Sequence, residues 1–239
     1  MEGVYVCGDI HGRLYHLNTL LKLRPKPLQI IQLGDFGYWP SENNKIFRDT
    51  VTGEIRTYNL NSVKAGRTQI YFIDGNHEDH QALNDTRRPP ANVLYRSGLS
   101  YVKRGYLMSV LGKRCLFFGG AESIDKQYRY VGYDWFPQET ISQANMEYAM
   151  SSIRNSRHPV EVVFSHTCPV EFDPLPREKM VGNDPSRVAL SRILEMVKPR
   201  EWYFSHFHVY KEGYYEPTKT KWVCLDKAGG EGIWYKRII

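Results

Sequence analysis

The amino-acid sequence predicts an α/β protein, and two observations carry the prediction. Short runs rich in β-branched and aromatic residues alternate with stretches of helical periodicity, the pattern of strands and helices stacked in layers. Most of those runs also end in a cluster of Asp, Asn or His beside a Gly or Ser. Open α/β folds gather their sites there, at the carboxyl ends of strands.

In chain order, Val4-Tyr5-Val6-Cys7 reads as the first strand and runs into Asp9 and His11. Residues 14–23 carry Leu14, Leu17, Leu20 and Leu21 at helical spacing. Residues 28–33 form a second apolar run that ends at Gly34-Asp35. The polar stretch 40–66 reads as an insertion, within which Thr52-Gly53-Glu54 can turn a small hairpin. A third run, 69–73, leads into Gly75-Asn76-His77-Glu78. Residues 93–95, 99–102, 106–110 and 114–118 are strand-like, with Gly98, Gly105 and Gly112 at the turns. A helix is expected over 138–153, after Pro137, and a strand over 160–164 that delivers Ser165-His166. The helix expected over 188–197 is opened by Asp184-Pro185 and stopped before Pro199. Trp202-Tyr203-Phe204 then precedes Ser205-His206-Phe207-His208, and strands are expected at 222–225 and 232–238.

The polar clusters reach from Asp9 to His208, and no linker or repeat divides the chain, so one domain over residues 1–239 is the expected organisation. A hydrophobic content of 41% is enough for a sizeable core. No apolar run approaches the ~20 residues of a membrane span, and Met1-Glu2-Gly3 does not open a secretory signal. Cys7, Cys115, Cys168 and Cys224 are widely spaced, which leads us to expect free thiols in a reducing, cytoplasmic compartment. The net charge of +6 favours anionic partners, although a merely soluble surface accounts for it equally.

Asp9, His11, Asp35, Asn76, His166, His206 and His208 form the candidate ligand set. Carboxylate, carboxamide and imidazole donors together suit borderline divalent cations such as manganese, iron or zinc. Two such ions can clamp the attacking and leaving oxygens of a displacement at phosphorus. Asp9 and His11 are two apart, so on an extended segment they point to the same side, as do His206 and His208. Taken singly the clusters have ordinary readings: Asn76 as a cap for a helix near Glu78, Asp35 as part of a Gly-Asp turn, His166 as a strand-end histidine. Their joint arrival, mostly after strand-like runs, is what points to a metal site.

On these motifs the chain resembles the calcineurin-like metallophosphoesterase superfamily, whose signatures are Asp-x-His, Gly-Asp, Gly-Asn-His-Glu/Asp, His and Gly-His-x-His. All are present in order, with Ser205 where the last usually has Gly, a small-for-small change. The resemblance implies a four-layer αββα sandwich and two divalent ions, manganese favoured. It implies that Asp9, His11 and His208 bind one ion, that Asn76, His166 and His206 bind the other, and that Asp35 bridges them. His77 would stand beside the metals as general acid or phosphate-oxygen contact. The implied reaction is direct attack of metal-bound water on phosphorus, with Asp9 and Asp35 helping to fix the nucleophile.

The second motif departs from the Ser/Thr protein phosphatase branch, which reads Gly-Asp-x-x-Asp-Arg-Gly. Here Tyr38 and Trp39 stand where that branch has its second Asp and its Arg. A looser similarity, to RNA lariat-debranching enzymes, rests on Gly119-Gly120-Ala121-Glu122-Ser123, the Arg/Tyr/Trp-rich stretch after it, and Ser165-His166 with Pro169. Those enzymes carry Cys at the position of Asp9. Lys126, Tyr128, Arg129, Tyr130, Tyr133 and Trp135 mix cations with flat rings, which can track a phosphate backbone and stack on bases. Tyr38, Arg129, Tyr130 and Trp135 are the expected substrate contacts. A phosphodiester of nucleotide or nucleic-acid type is the favoured substrate. A phosphomonoesterase of the Ser/Thr protein phosphatase type and an inactive metal-binding module are the alternatives.

Overall fold

The computed structural model describes residues 3–24, 26–40, 46–48, 55–57, 60–84, 98–176, 179–180 and 184–238. In chain order their regular elements are β1 (Gly3–Cys7), α1 (Tyr15–Leu20), β2 (Pro27–Gln32), β3 (Ile46–Arg48), β4 (Ile55–Thr57), β5 (Gln69–Phe72), α2 (His80–Leu83), β6 (Leu99–Tyr101), β7 (Tyr106–Val110), β8 (Lys113–Phe118), α3 (Gln143–Arg154), β9 (Val162–Ser165), α4 (Pro185–Val197), β10 (Glu201–Phe204), β11 (Lys211–Tyr215), β12 (Thr220–Cys224) and β13 (Tyr235–Arg237). One sheet has five strands in the order β13-β1-β2-β5-β6 and the other has six in the order β11-β12-β10-β9-β8-β7. The interior pairs β1–β2, β2–β5, β5–β6, β8–β9, β9–β10 and β10–β12 are parallel, while β13, β11 and β7 close edges by antiparallel pairing.

Alternation along the strands builds the expected αββα sandwich, because successive side chains leave a strand on opposite faces. Val4, Val6, Ile31 and Ile73 of the first sheet meet Cys115, Phe117, Val162, Phe164, Tyr203 and Val223 of the second in a core between the sheets. Their neighbours face outward. Ile30, Ile70 and Phe72 pack under Leu17 and Leu20 of α1. Leu116, Phe118, Val163, Trp202, Phe204 and Trp222 pack under Met146 and Ala149 of α3 and Leu190, Ile193 and Leu194 of α4. All four cysteines are buried and free.

The boundaries differ from expectation at identifiable places. The helix expected over 138–153 begins at Gln143, because Pro137 opens only a short 3-10 turn and Ser142 caps α3 in a reciprocal box with Asn145. Asn76 caps nothing: α2 starts at His80, and Asp79 accepts the Ala82 N–H. The edge strand β11 reads KEGYY, without an apolar alternation that the sequence could announce. The antiparallel β3–β4 pair lies within the polar stretch expected to be an insertion. The expected turn at 52–54 and strand at 93–95 lie outside the described residues.

Candidate metal centre

Every expected ligand lies just past the carboxyl end of a parallel strand. Asp9 and His11 follow β1, Asp35 follows β2, Asn76 follows β5, His166 follows β9, and His206 and His208 follow β10. The carboxyl edges of both sheets therefore supply the site. The loops that carry it hold an uncommon backbone. Among the described residues, seven non-glycine positions have positive φ, and four of them are His11 (49°), Asp35 (49°), His206 (71°) and His208 (51°). Such conformations cost of order 1–3 kcal/mol each and persist where surrounding structure over-determines them.

Glycine makes two of these turns possible. A Cβ on Gly34, at φ +90°, would enter the His166 ring. A Cβ on Gly75 would collide with the backbone and carboxylate of Asp35. Gly34 and Gly75 are thus each required by a candidate ligand of another loop.

The candidate ligand atoms converge, and Asp9 Oδ1, His166 Nδ1 and the Asn76 amide N–H are already hydrogen-bonded elsewhere. Asp9 Oδ1 accepts the Ser205 hydroxyl at 2.5 Å and the His206 N–H at 3.2 Å. His208 Nε2 lies 2.9 Å from Asp9 Oδ2, so the imidazole and the carboxylate oxygen meet at one point. His11 Nε2 and His208 Nε2 are 3.1 Å apart, two imidazole nitrogens aimed at the same space. His166 Nδ1 donates to Leu33 O at 2.7 Å, which leaves Nε2 for the site, 3.1 Å from Asn76 Oδ1 and 3.5 Å from Asp35 Oδ1, where an ion would take the place of its proton. Asp35 Oδ1 accepts the His77 N–H at 2.8 Å. The rings of His166 and His206 meet edge-on, with centroids 4.9 Å apart. Acceptors turned toward acceptors are the arrangement a cation resolves.

Three-residue clusters able to hold a cation are Asp9/His11/His208, His11/Asp35/His77 and Asp9/Asp35/His166. Asp9, His11 and Asp35 each belong to two of them, and His77 to one. The field at the site favours positive charge. Burial resists charging His166, but Asp35 and Asp9 outweigh it and raise its pKa to about 9. Burial pushes the Asp9 carboxyl up, yet His208 and His166 hold it down at about 2. Burial lowers His11 to about 4 and His206 to about 3, keeping both neutral as ligands must be.

Further residues that sequence reasoning had not assigned hold the ligands. Gln32, buried at the end of β2, donates its amide to the carbonyls of Gly8 and Gly34 and so ties the Asp9 and Asp35 loops together. Glu78 accepts the backbone N–H groups of Phe36, Gly37 and Tyr38 at 2.6, 3.0 and 2.5 Å. Ser123 donates its hydroxyl to Glu139 at 2.8 Å, so its oxygen is left to accept the Asn76 amide N–H at 3.0 Å. That chain fixes the Asn76 amide with its oxygen toward His166. Ser205, expected only as a small stand-in for Gly, is a direct partner of Asp9. A buried Gln in an apolar strand was the one signal that could have flagged this layer.

The chain matches the Calcineurin-like phosphoesterase family over residues 3–210. It belongs to that family. Calcineurin-like phosphoesterases use divalent metal ions, and the donor set fits them. The chain is 27% identical over 228 residues to a lariat debranching enzyme of Schizosaccharomyces pombe, covering 86% of this chain and 48% of that one. It is 26% identical over 186 residues to the lariat debranching enzyme of Gallus gallus, covering 66% and 33%. The matched region thus spans a third to about half of these relatives. The protein TT1561 of Thermus thermophilus has a similar fold, with a TM-score of 0.57 at 14% identity, covering 94% of this chain and 88% of that one.

In this phosphoesterase the ligands open onto a cleft of about 590 Å³, lined by Asp35, Asn76, His77, His206 and His208 and walled by residues 122–126, Arg129, Leu175, Lys179, Met180, Asp184, Arg187 and Phe207. The guanidinium of Arg129 lies 3.2 Å from His77 Nδ1 and 3.1 Å from His77 Nε2, and is anchored to Asp125 at 2.8 Å. Burial lowers the His77 pKa; Asp35 opposes that shift and Arg129 adds to it.

The other expected substrate contacts lie elsewhere. Tyr38 is 3% exposed, with its ring packed near Phe72. Tyr130 is 75% exposed but does not line the cleft. Trp135 is half-buried, its indole nitrogen enclosed against Glu139. Trp39 donates its indole N–H to His77 O at 3.2 Å.

Proposed function

We propose that the protein hydrolyses phosphodiesters of nucleotide or nucleic-acid type at a two-ion centre. The observation that carries the hydrolytic reading is the convergence of the candidate ligand atoms beside an open cleft, with Asp9 Oδ1, His166 Nδ1 and the Asn76 amide N–H already hydrogen-bonded elsewhere. Asp9, His11 and His208 would hold one divalent ion and Asn76, His166 and His206 the other, with Asp35 shared. Manganese is favoured, and ions bound there supply an activated water and positive charge against the phosphoryl oxygens.

The chain's own groups do the rest. Ser205 and the His206 N–H hold Asp9 in one orientation, and the His77 N–H holds Asp35. His77 projects into the cleft beside Arg129. There it contacts a phosphoryl oxygen or passes a proton to the leaving oxygen. Arg129, anchored by Asp125, offers its charge to the same phosphate.

Two features support a diester. The positions that are Asp and Arg in the Ser/Thr phosphatase branch hold a buried Tyr38 and a Trp39 bound to a carbonyl, so neither brings charge to the phosphate. A monoester, with nearly two charges, gains most from such a cation. The segment leaving the cleft wall also exposes Tyr128, Tyr130 and Tyr133, rings on which a base can stack for ~1–3 kcal/mol. Similarity to lariat debranching enzymes points the same way.

The test is a panel on manganese-loaded protein: bis-(p-nitrophenyl) phosphate, p-nitrophenyl phosphate, a phosphoserine peptide and short single-stranded RNA and DNA. The diesters are expected to lead. A lead for the monoester and peptide returns the chain to the phosphatase type, and no turnover of any ester makes it a binding module. With the diesters ahead, Tyr130→Ala should weaken oligonucleotide cleavage more than cleavage of the small chromogenic diester.

A further inference from the structure

We infer that Arg187 forms a second anion-binding position in the cleft, which takes a phosphate of the substrate other than the one hydrolysed. The inference rests on the diesterase reading above. Arg187 stands in the first turn of α4 and is 6% exposed. Its guanidinium is held by three carbonyls: Nε donates to Cys168 O at 3.1 Å, and Nη2 donates to Pro169 O and Phe172 O, each at 2.9 Å. Cζ lies 5.8 Å from the centre of the Phe207 ring.

These contacts fix the fork without neutralising it. Among the described residues no carboxylate forms an ion pair with Arg187. Asp184, the acid at the start of the same helix, uses its Oδ1 to accept the Ser186 N–H at 2.8 Å. Nη1 has no partner among the described residues, and Arg187 lines the cleft beside His206, Phe207 and His208. Asp184 is near enough for its carboxyl to feel the Arg187 charge, but among the described residues no carboxylate pairs with the buried fork, and an anion at Nη1 would complete its neutralisation. Because the fork is immobilised beforehand, little side-chain freedom remains to be lost on binding.

Arg129 stands on the His77 side of the cleft and Arg187 on the His206–His208 side. Two anchored guanidiniums flanking one metal centre suit a ligand with two phosphates, one at the ions and one beside it. A nucleic-acid fragment with an adjoining phosphate has that form. Guanidinium is the side chain whose geometry matches phosphate oxygens.

The test compares three substrates on the unaltered, metal-loaded protein: the dinucleotide TpT, the same with a 5′-phosphate, and the same with a 3′-phosphate. One phosphorylated form is expected to exceed TpT in kcat/KM by about ten- to a hundredfold, the worth of a charge-assisted hydrogen bond, with the gain in KM. Arg187→Lys and Arg187→Gln should shrink that ratio toward one. The ratio on unaltered protein is the primary reading, since replacing Arg187 frees three carbonyls and can loosen the fold. Equal kcat/KM for all three substrates overturns the inference while leaving the diesterase reading intact. So does a folded Arg187→Gln protein that keeps the full ratio. If none of the three is cleaved while p-nitrophenyl phosphate is, the diesterase reading falls and takes this inference with it.

Discussion

His77 can be separated from the ligand set by one substitution. Its ring shares a cluster with His11 and Asp35, close enough to touch an ion, yet Arg129 stands at both of its nitrogens. His77→Ala is expected to keep the parent metal stoichiometry and to lower kcat by ~10²–10⁴-fold, the range of a general acid. Elemental analysis beside steady-state kinetics checks this, and an ion missing from the variant would show that His77 is a ligand. Ser123→Ala makes a different prediction. It removes the acceptor that holds the Asn76 amide, so one ion should bind about 10–100-fold more weakly, the usual worth of an outer partner, while the other keeps its affinity. Titration calorimetry resolves the two, and unchanged affinity for both ions would leave Ser123 a packing residue only. The candidate ligands stood out in the sequence because Asp, Asn and His in those motifs have few other uses together. Ser123 and Glu139 did not, because a hydrogen bond between residues 47 apart, such as that from Asn76 to Ser123, leaves no local signal.

At the scale of elements, the strand-end loops are where sequence and site are tied most tightly. Gly34→Ala puts a Cβ into the His166 ring at a backbone angle that disfavours side chains. It should cost more than ~1 kcal/mol of stability and weaken metal binding as well. Denaturant unfolding of the metal-free variant, followed by metal titration, reads both, and a variant with parent stability and affinity would show that the loop can shift. Strands with alternating or continuous apolar residues were legible within a residue or two, since both faces of each sheet are covered, except the tail strand, expected from 232 and formed only from Tyr235. Helix starts were less so. Pro137 advertises a helix that begins only at Gln143, because a cap decides where the first turn closes.

At the scale of the molecule, a buried ion pair ties the first sheet to the helical layer over the second. Arg104 bonds Asp74 after β5 and also the carbonyls of Gln138, Glu139 and Thr140 ahead of α3. Burial pushes the Asp74 carboxyl up, but Arg104 and His80 outweigh it, so its folded-state pKa lies below the ordinary value. A depressed carboxyl contributes stability that is complete above its unfolded pKa, ~3.9, and that is lost as pH falls through the folded value. Asp74→Asn should therefore cost about 3–5 kcal/mol at neutral pH, the consequence of leaving a buried charge unpaired. It should also flatten the acid limb of stability, read by denaturant titrations from neutral pH downward. An acid limb as steep as the parent's would assign acid unfolding to other carboxylates.

Metal acts on the whole molecule too. Each ion at 100 times its Kd should add about 2.7 kcal/mol and raise Tm. Chelation should abolish turnover, and manganese should restore it better than magnesium, which prefers oxygen ligands where this site offers His11, His166, His206 and His208. Full activity after chelation, with only trace metal present, would remove the ions from the reaction.

The sequence by itself determined the layer architecture, because strand alternation sorts each side chain to the inter-sheet core or to a helix without reference to distant residues. It also placed the candidate ligands together, because those residue types sit at strand ends and parallel strands share one edge. Only the tertiary structure decided which atoms of those ligands remain free, which expected contacts face the cleft, and that Arg187 enters its wall. Tyr38 and Trp135 are enclosed, whereas Arg129 meets His77 across 52 positions of chain. The directions of hydrogen bonds, and the burial of one aromatic ring but not another, depend on which loops are brought together. Nothing in local propensity encodes that.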